Sequence, residues 1–134
     1  KGQPKIKLSE NIQKVTLPGV KQVYRYIDDS GCFIADAIAL EKDKVPDKMI
    51  HPFDPEKSMS LDTKMATPLL SPIMKKGKSL LDDYHPSDIT AFVQKRLQKL
   101  PEEHKRFNNP HIYKVGISEQ LHQLRNDLRR QYKF

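Results

Sequence analysis

The chain has 134 residues and a mass of 15.6 kDa, and 24 Lys and Arg residues against 17 Asp and Glu residues give it a net charge of +7. This length allows one domain with a real core. We exclude a membrane span and a secretion signal, because no apolar run reaches about 18 residues and no charged segment precedes an apolar stretch. A single Cys excludes an intramolecular disulfide and predicts a reducing compartment, the cytoplasm. A start at Lys1 instead of Met predicts a piece of a longer protein.

The excess positive charge lies in the second half, where residues 75–134 carry 13 basic and 7 acidic side chains. Such a balance allows nucleic-acid or phosphate partners, although a solvated basic surface is the simpler interpretation. The sequence lacks zinc-finger spacing and the interleaved aromatic residues of RNA-binding platforms. A basic nucleic-acid-binding α+β module is therefore kept as an alternative function.

Alternating residues and turn signals predict strands in the first half of the chain. Lys5 to Leu8 alternate charged and apolar side chains, which is typical of a half-exposed strand. Pro18 and Gly19 predict a type II turn, since proline presets the second position and glycine supplies the positive φ of the third. A strand from Lys21 to Ile27 follows, with its two tyrosines on one face.

The next residues predict the second half of a hairpin. Asp28 to Gly31 form its turn, with a bulge at the glycine, and the return strand runs from Cys32 to Leu40. That strand is apolar on both faces apart from Asp36, which predicts a central strand and an inert, buried thiol. A buried carboxylate needs a partner, and we expect Asp36 to accept either from Arg25, which can face it across the hairpin, or from a backbone N–H.

The middle of the chain is broken by proline and charge into short pieces. Brief strands are predicted from Met49 to Phe53 and from Met59 to Leu61. A second hairpin is predicted from Leu69 to Met74 and from Ser79 to Leu81, around the turn Lys75–Lys78. The three lysines of that turn would suit a phosphate, but a basic hairpin turn is the commoner structure.

Two helices are predicted at the end of the chain, at about 88–100 and 119–132, with Ser87 and Ser118 as N-caps. Both carry apolar stripes at helical spacing, which we expect to pack on the sheet or on each other. The first stripe consists of Ile89, Phe92, Val93, Leu97 and Leu100, and the second of Leu121, Leu124, Leu128 and Tyr132.

These elements predict an α+β fold: small antiparallel hairpins or a sheet in the first half, and two amphipathic C-terminal helices packed on it. Within a single domain or fragment of 1–134, we expect a connector at 1–20, mainly strands and loops at 21–85, and a helical part at 86–134.

Metal and catalytic motifs are lacking. None of the five histidines pairs with another at a ligand spacing, and no metal site is expected. The sequence contains no GxSxG, P-loop or GxGxxG pattern.

The segment from residue 7 to residue 21 concentrates groups that can bind phosphate oxygens. It places hydroxyls and ammonium groups around turns, at Lys7, Ser9, Lys14, Thr16 and Lys21. These residues are the candidate substrate-binding set, and an ordinary turn with an exposed face is the alternative.

This segment and the end of the chain resemble one enzyme family. Lys7-Leu8-Ser9-Glu10, Lys14-Val15-Thr16-Leu17-Pro18-Gly19-Val20-Lys21 and Val23-Tyr24-Arg25 resemble the segment that follows the barrel of nicotinate phosphoribosyltransferases. Leu100 to Arg106 and Asn109 to Tyr113, followed by Ser118, Leu121, Leu124 and Leu128, resemble the tail of the same family. The two matches stand in the right order at either end, so the resemblance covers almost the whole chain.

The resemblance implies an enzyme that joins nicotinate to phosphoribosyl pyrophosphate in NAD synthesis. It implies ATP hydrolysis through a phosphorylated histidine, with Mg, in a homodimer whose irregular α/β barrel is joined to sandwich-like domains. The catalytic residues lie before the matched region, and no histidine here matches the phosphohistidine. The chain would be the C-terminal portion, inactive alone, with no catalytic residue, metal or cofactor of its own.

The resemblance also implies partners and a role for the candidate residues. The partners would be the barrel and N-terminal domains of the same enzyme, with no nucleic acid and no membrane. Shorter family members keep the pattern of Lys7, Ser9, Lys14 and Thr16, which implies lining of the phosphate side of the site. The competing role is to tie the last barrel strand to the next sheet. A structural or dimerisation piece without a ligand is the third interpretation of the chain.

Overall fold

A six-stranded mixed sheet forms the centre of the structure, a computed structural model that describes residues 7–81 and 83–132. The eight strands are β1 (Lys21–Ile27), β2 (Phe33–Leu40), β3 (Lys48–Ile50), β4 (Ser58–Ser60), β5 (Ala66–Pro68), β6 (Met74–Lys75), β7 (Lys78–Ser79) and β8 (Lys114–Ser118). The helices are α1 (Pro86–Leu97), α2 (Glu102–Lys105) and α3 (Glu119–Gln131), and single 3-10 turns span Ile12–Lys14 and Thr63–Met65. The strand order is β4-β3-β8-β2-β1-β5, with β6 and β7 paired separately. The α+β class is confirmed.

The β1–β2 hairpin is confirmed, with a register shift between Tyr26 and Ile27. Tyr24 and Tyr26 share the buried face of β1, and β2 lies between β1 and β8, buried along most of its length. Cys32 falls just before β2 and is half-buried, so the predicted buried position of the thiol is wrong.

Strand β8 was not predicted, and it corrects the expectation of a helical part at 86–134 and of a purely antiparallel sheet. It inserts between β2, to which it is parallel, and β3, to which it is antiparallel. Gly116 makes this close packing possible, because a Cβ there would lie 2.8 Å from the Cγ of Met49.

Helix α3 follows β8 directly and packs on the sheet, as predicted. The hydroxyl of Ser118, its N-cap, accepts a hydrogen bond from the Leu121 amide at 3.2 Å. Leu121 is fully buried and forms a core cluster with Leu40 and Ile117. The apolar stripe of this helix therefore covers one face of the sheet.

Helix α1 departs from the prediction at its cap and in its packing. His85, and not Ser87, is the N-cap: its ring accepts from the Ser87 amide at 3.3 Å, while its own amide donates to Asp88 at 3.2 Å. None of the residues of α1 is buried, so the expectation that its stripe packs on the sheet or on α3 is wrong. We call residues 70–97 the arm, because all its described members except Arg96 are exposed.

The hairpin within the arm is shorter than predicted. Only Met74–Lys75 and Lys78–Ser79 pair, and Lys76 (φ 50°) and Gly77 (φ 76°) form the type I′ turn between them. Leu69 instead continues the sheet edge, with its amide donating to the Val23 carbonyl at 2.8 Å.

The segment before β1 is not a regular strand. Lys5 and Ile6, where the first predicted strand begins, lie outside the described residues, and Lys7 and Leu8 have no strand structure. Gly19 adopts φ +81°, as the predicted type II turn requires. In the described part of the chain, no helix is long and apolar enough to cross a membrane.

Candidate functional site

The candidate residues Lys7 and Thr16 lie side by side, so that the start and the end of the described part of the connector meet. The Lys7 amide donates to the Thr16 hydroxyl at 2.7 Å, and the Thr16 amide donates to the Lys7 carbonyl at 3.3 Å. The Thr16 hydroxyl therefore helps to hold the two ends of this segment together. That is a structural role, and it competes with phosphate binding.

Ser9 precedes the 3-10 turn Ile12–Lys14, and Lys14 is its last residue. The Ser9 hydroxyl accepts from the Asn11 amide at 3.3 Å, and the Asn11 side chain in turn accepts from the Gln13 amide at 3.0 Å. Lys14 is exposed at the end of that turn. Lys14 therefore presents its charge to solvent.

Lys21 is committed to the turn that precedes β1. Its ammonium donates to the carbonyls of Leu17 at 3.0 Å and Gly19 at 2.6 Å. These two bonds use two of its three donors and hold both carbonyls in place ahead of β1. The arrangement favours a structural role for Lys21.

A groove of about 850 Å³ runs between the connector and the end of α3, and Ser9 is the only one of the five candidates among its lining residues. Its lining is Leu8, Ser9, Glu10, Asn126, Arg129, Arg130 and Tyr132. Two guanidinium groups and a hydroxyl could hold an anion there. The Glu10 carboxylate and the negative C-terminal end of α3 both oppose such a ligand.

A buried arginine and a half-buried histidine lie together on α3 beside this groove. Arg125 is 3% exposed, and its Nη2 lies 3.3 Å from the Nδ1 of His122, while its Nε has no hydrogen-bond partner within the described residues. Burial and then the charge of Arg129 lower the pKa of Arg125, and burial and then Arg125 lower the pKa of His122. A positive charge on His122 is thus disfavoured, because it would lie beside the guanidinium of Arg125.

A second groove lies between α1 and the sheet, beside an ion pair that the sequence predicted. Arg25 faces Asp36 across β1 and β2 and donates to both carboxylate oxygens, from Nε at 2.9 Å and from Nη2 at 2.7 Å. Bidentate geometry of this kind is strong and directional. The hydrogen bond to Asp36 raises the pKa of Arg25 against the opposing effect of burial.

Tyr113 completes this cluster, and the sequence analysis missed its role. Its hydroxyl donates to the Oδ1 of Asp36 at 3.0 Å, and burial and then the nearby carboxylate raise its pKa. The ring of His104 packs edge-on against Tyr113 at 5.4 Å, and its Nδ1 lies 2.7 Å from the carbonyl of His111. No local pattern at residue 113 indicates this contact, because Tyr113 and Asp36 are 77 residues apart.

The lining of the second groove is apolar with a basic edge. Arg25 lies 4.6 Å from the centre of the buried Phe33 ring, and Arg96 lies 5.0 Å from the centre of the Phe92 ring. Phe33, Leu69, Phe92, Val93, Leu97 and Leu100 supply the apolar lining. This surface suits an apolar group with a carboxylate better than it suits a free phosphate.

The five sequence candidates do not converge on one pocket, and they lie away from the second groove. Within residues 7–81 and 83–132, no group of three or more His, Cys, Asp or Glu side chains is placed to hold a metal ion.

Comparisons with known proteins agree with one another. Residues 20–125 match the family model described as the nicotinate phosphoribosyltransferase C-terminal domain. A Bacillus subtilis (strain 168) protein named nicotinate phosphoribosyltransferase is 39% identical, with 85% of this chain and 24% of that protein covered. A protein of the same name from Caenorhabditis elegans is 33% identical, with 94% of this chain and 24% of that protein covered.

The fold matches a solved structure as well. The crystal structure of human nicotinic acid phosphoribosyltransferase superposes with a TM-score of 0.78 at 28% identity, covering 95% of this chain and 25% of that one. The chain thus spans about a quarter of the length of the relatives that it matches.

Proposed function

This chain belongs to the nicotinate phosphoribosyltransferase family, in which it is the C-terminal domain, and we propose that it is a non-catalytic part of an enzyme that converts nicotinate and phosphoribosyl pyrophosphate to nicotinate mononucleotide. The match of residues 20–125 to the C-terminal domain carries this proposal. ATP with Mg would be used by the preceding domains, and the reaction would belong to NAD synthesis.

An assembly role for this domain is supported by what its side chains already do. Thr16 and Lys21 are engaged with backbone groups of the connector. Arg25, Asp36 and Tyr113 bond to one another beside the second groove. A catalytic site holds its reacting groups in place around a substrate pocket, whereas these groups hold the domain together.

Activity of the isolated chain tests the non-catalytic role. We expect no nicotinate mononucleotide from the purified 134-residue chain supplied with nicotinate, phosphoribosyl pyrophosphate, ATP and Mg. Turnover by this chain alone would refute the proposal, because catalytic residues would then have to lie within it.

A chimera tests the family function directly. We define it as the Bacillus subtilis relative with its matched C-terminal quarter replaced by this chain, which is 39% identical to it. The folded chimera should form nicotinate mononucleotide, whereas the same protein truncated before the chain should not. A folded but inactive chimera would count against the proposed function.

Lining of the phosphate side by the connector is a second, separate proposal, and Lys14 is its best probe because it is exposed. In the chimera, Lys14→Ala should raise the KM for phosphoribosyl pyrophosphate several-fold. Lys64→Ala is the matched control, since Lys64 is also an exposed lysine within a 3-10 turn. An unchanged KM with Lys14→Ala would leave the connector as a structural tie.

The remaining proposals concern the whole enzyme and its location. We propose a homodimer, as the family resemblance implies, and a cytoplasmic location, which the single half-buried thiol suits. Sedimentation of the chimera should give the mass of two chains.

A further inference from the structure

The apolar face of α1 is uncovered in this domain. Ile89, Phe92, Val93 and Leu97 are between 43% and 59% exposed, and their spacing places them on one side of the helix. A contiguous exposed patch of large apolar side chains marks an interaction surface in soluble proteins. An isolated 12-residue helix is also marginal in water, so its stability calls for packing against something else.

The second groove extends this patch toward the sheet. It joins the α1 face to Phe33, Leu69 and Leu100, and the Arg25–Asp36–Tyr113 cluster forms its far side. That cluster is fixed by three hydrogen bonds, so the groove has one rigid wall. We call α1's apolar face together with this groove the docking surface.

The charge on the docking surface selects an acidic partner. Arg96 stacks over Phe92 at 5.0 Å and over Phe33 at 5.8 Å, and it has no ion pair within the described residues. Arg25, by contrast, is already neutralised by Asp36. Aromatic residues and arginine are enriched in protein interfaces, where an arginine of this kind pairs with a carboxylate.

The relatives are long enough to supply a partner for this surface. The family model of the C-terminal domain includes the arm, since it runs from residue 20 to residue 125. The relatives named nicotinate phosphoribosyltransferase are about four times as long as this chain, so most of their mass lies outside the matched quarter.

We propose that the docking surface binds the preceding domains of the same enzyme, through a segment of those domains that presents apolar side chains to α1 and a carboxylate to Arg96. This inference rests on the proposed function, because it takes the rest of the family's polypeptide as the partner. It goes further by naming the face that docks and the chemistry of the segment that meets it.

Hydrogen exchange compares the isolated chain with the chimera. In the isolated chain, the amides of α1 should exchange at least 100-fold faster than those of α3, since α3 is packed on the sheet. In the chimera, the amides of α1 should become protected. An α1 protected in the isolated chain, or unprotected in a folded chimera, would overturn the proposal.

Two matched pairs of variants locate the surface. Phe92→Asp should lower the thermal unfolding midpoint of the chimera by several degrees but leave that of the isolated chain unchanged. Phe107→Asp is its control, because Phe107 is 98% exposed and lies outside the groove. Arg96→Gln should act like Phe92→Asp, with Lys95→Gln as its control. Equal effects within either pair would contradict the proposed surface.

The isolated chain gives an answer even if the chimera fails to fold. A second copy is the rival occupant of the docking surface, and it predicts a dimer that Phe92→Asp disrupts. We expect a monomer by sedimentation at concentrations up to about 100 μM, and a dimer sensitive to Phe92→Asp would refute the proposal. Enzyme activity of the chimera tests the proposed function, whereas protection of α1 tests the docking face, so the two can fail separately.

Discussion

At the scale of single residues, Asp36 shows how a sequence can predict a contact. A lone charge within an apolar strand requires a partner, and hairpin pairing brings Arg25 directly opposite it. The third member, Tyr113, could not be predicted, because it lies just before β8 and 77 residues from Asp36 in the sequence. Asp36 uses both of its oxygens in this cluster, and that satisfies the carboxylate in its partly buried position.

Removing the charge of Asp36 should destabilise the domain. Asp36→Asn leaves the guanidinium of Arg25 without its counter-charge at a site where the two side chains are 25% and 12% exposed. We expect a loss of about 2–3 kcal/mol in the free energy of unfolding, somewhat below that of a fully buried pair. Urea unfolding followed by circular dichroism measures it.

The control for Asp36 is an ion pair in solvent. Asp54→Asn removes the exposed Lys57–Asp54 pair, whose atoms are 3.4 Å apart. Exposed pairs of this kind contribute at most about 0.5–1 kcal/mol, so this variant should unfold near the wild-type urea midpoint. Similar losses for the two variants would argue against a special role for Asp36.

Tyr26 predicts how stability depends on alkaline pH. Burial is the main cause that raises its pKa to about 12 from an ordinary value of 10.0, and its hydroxyl donates to the Pro46 carbonyl at 2.5 Å. Below pH 10 the phenol is neutral in both states and its contribution is complete. Between pH 10 and 12 the unfolded chain loses the proton first, so the folded state should lose about 2–3 kcal/mol.

Replacing Tyr26 with phenylalanine measures what its hydroxyl contributes to stability. Tyr26→Phe should lower stability at neutral pH, because the Pro46 carbonyl loses its donor. From pH 10 to 12, the stability of this variant should fall less steeply than that of the wild type. Tyr84→Phe, at an exposed phenol, should keep the wild-type slope. Denaturant midpoints at several pH values provide the comparison, and parallel slopes for Tyr26→Phe and wild type would contradict it.

At the scale of elements, local pattern identified the β1–β2 hairpin and α3 but not β8. The hairpin has alternation and a turn, and α3 has a serine cap and a stripe, all readable within a few residues. Strand β8 is five residues long with Gly116 at its centre, and its partners β2 and β3 are distant in sequence. The position of β8 in the sheet depends on the close approach of Gly116 to Met49. No local sequence pattern indicates that contact.

Helix α1 shows the opposite limit of sequence reasoning. Its apolar stripe predicted packing on the sheet or on α3, but the stripe is exposed within this domain, and no local signal tells where a partner lies. The candidate residues Lys7, Ser9, Lys14, Thr16 and Lys21 were grouped by chemistry alone, and the backbone bonds of Thr16 and Lys21 could be seen only in three dimensions.

The two helices should therefore respond differently to truncation in the isolated chain. Leu121→Ala should cost about 2–5 kcal/mol, because Leu121 is completely buried in the cluster with Leu40 and Ile117. Phe92→Ala should cost less than about 1 kcal/mol, since Phe92 is 59% exposed. Thermal or urea unfolding of both variants tests this, and a large loss for Phe92→Ala would show that α1 is packed within the domain.

At the scale of the whole molecule, the sheet is completed by a strand that follows the arm. Residues 7–69 supply five of its six strands, and β8 returns from the far side of the arm to lie between β2 and β3. The sheet therefore joins two parts of the chain that the exposed arm connects covalently. Cutting the arm should leave the sheet intact, because β8 and α3 are held by hydrogen bonds and core contacts.

Limited proteolysis tests whether the sheet stays intact when the arm is cut. A lysine-specific protease at low dose should cut first at Lys75, Lys76 or Lys78, which are exposed around the β6–β7 turn. The two fragments should then co-elute as one species with most of the far-ultraviolet circular dichroism retained. Gly116→Ala should weaken the association of the fragments, since its Cβ would meet the buried Met49 side chain at 2.8 Å. Gly31→Ala is the control: nothing lies within 4 Å of its Cβ, so it should strain only its own turn. Fragments that separate as soon as the wild-type arm is cut would show that the covalent link, and not the insertion of β8, holds the two parts together.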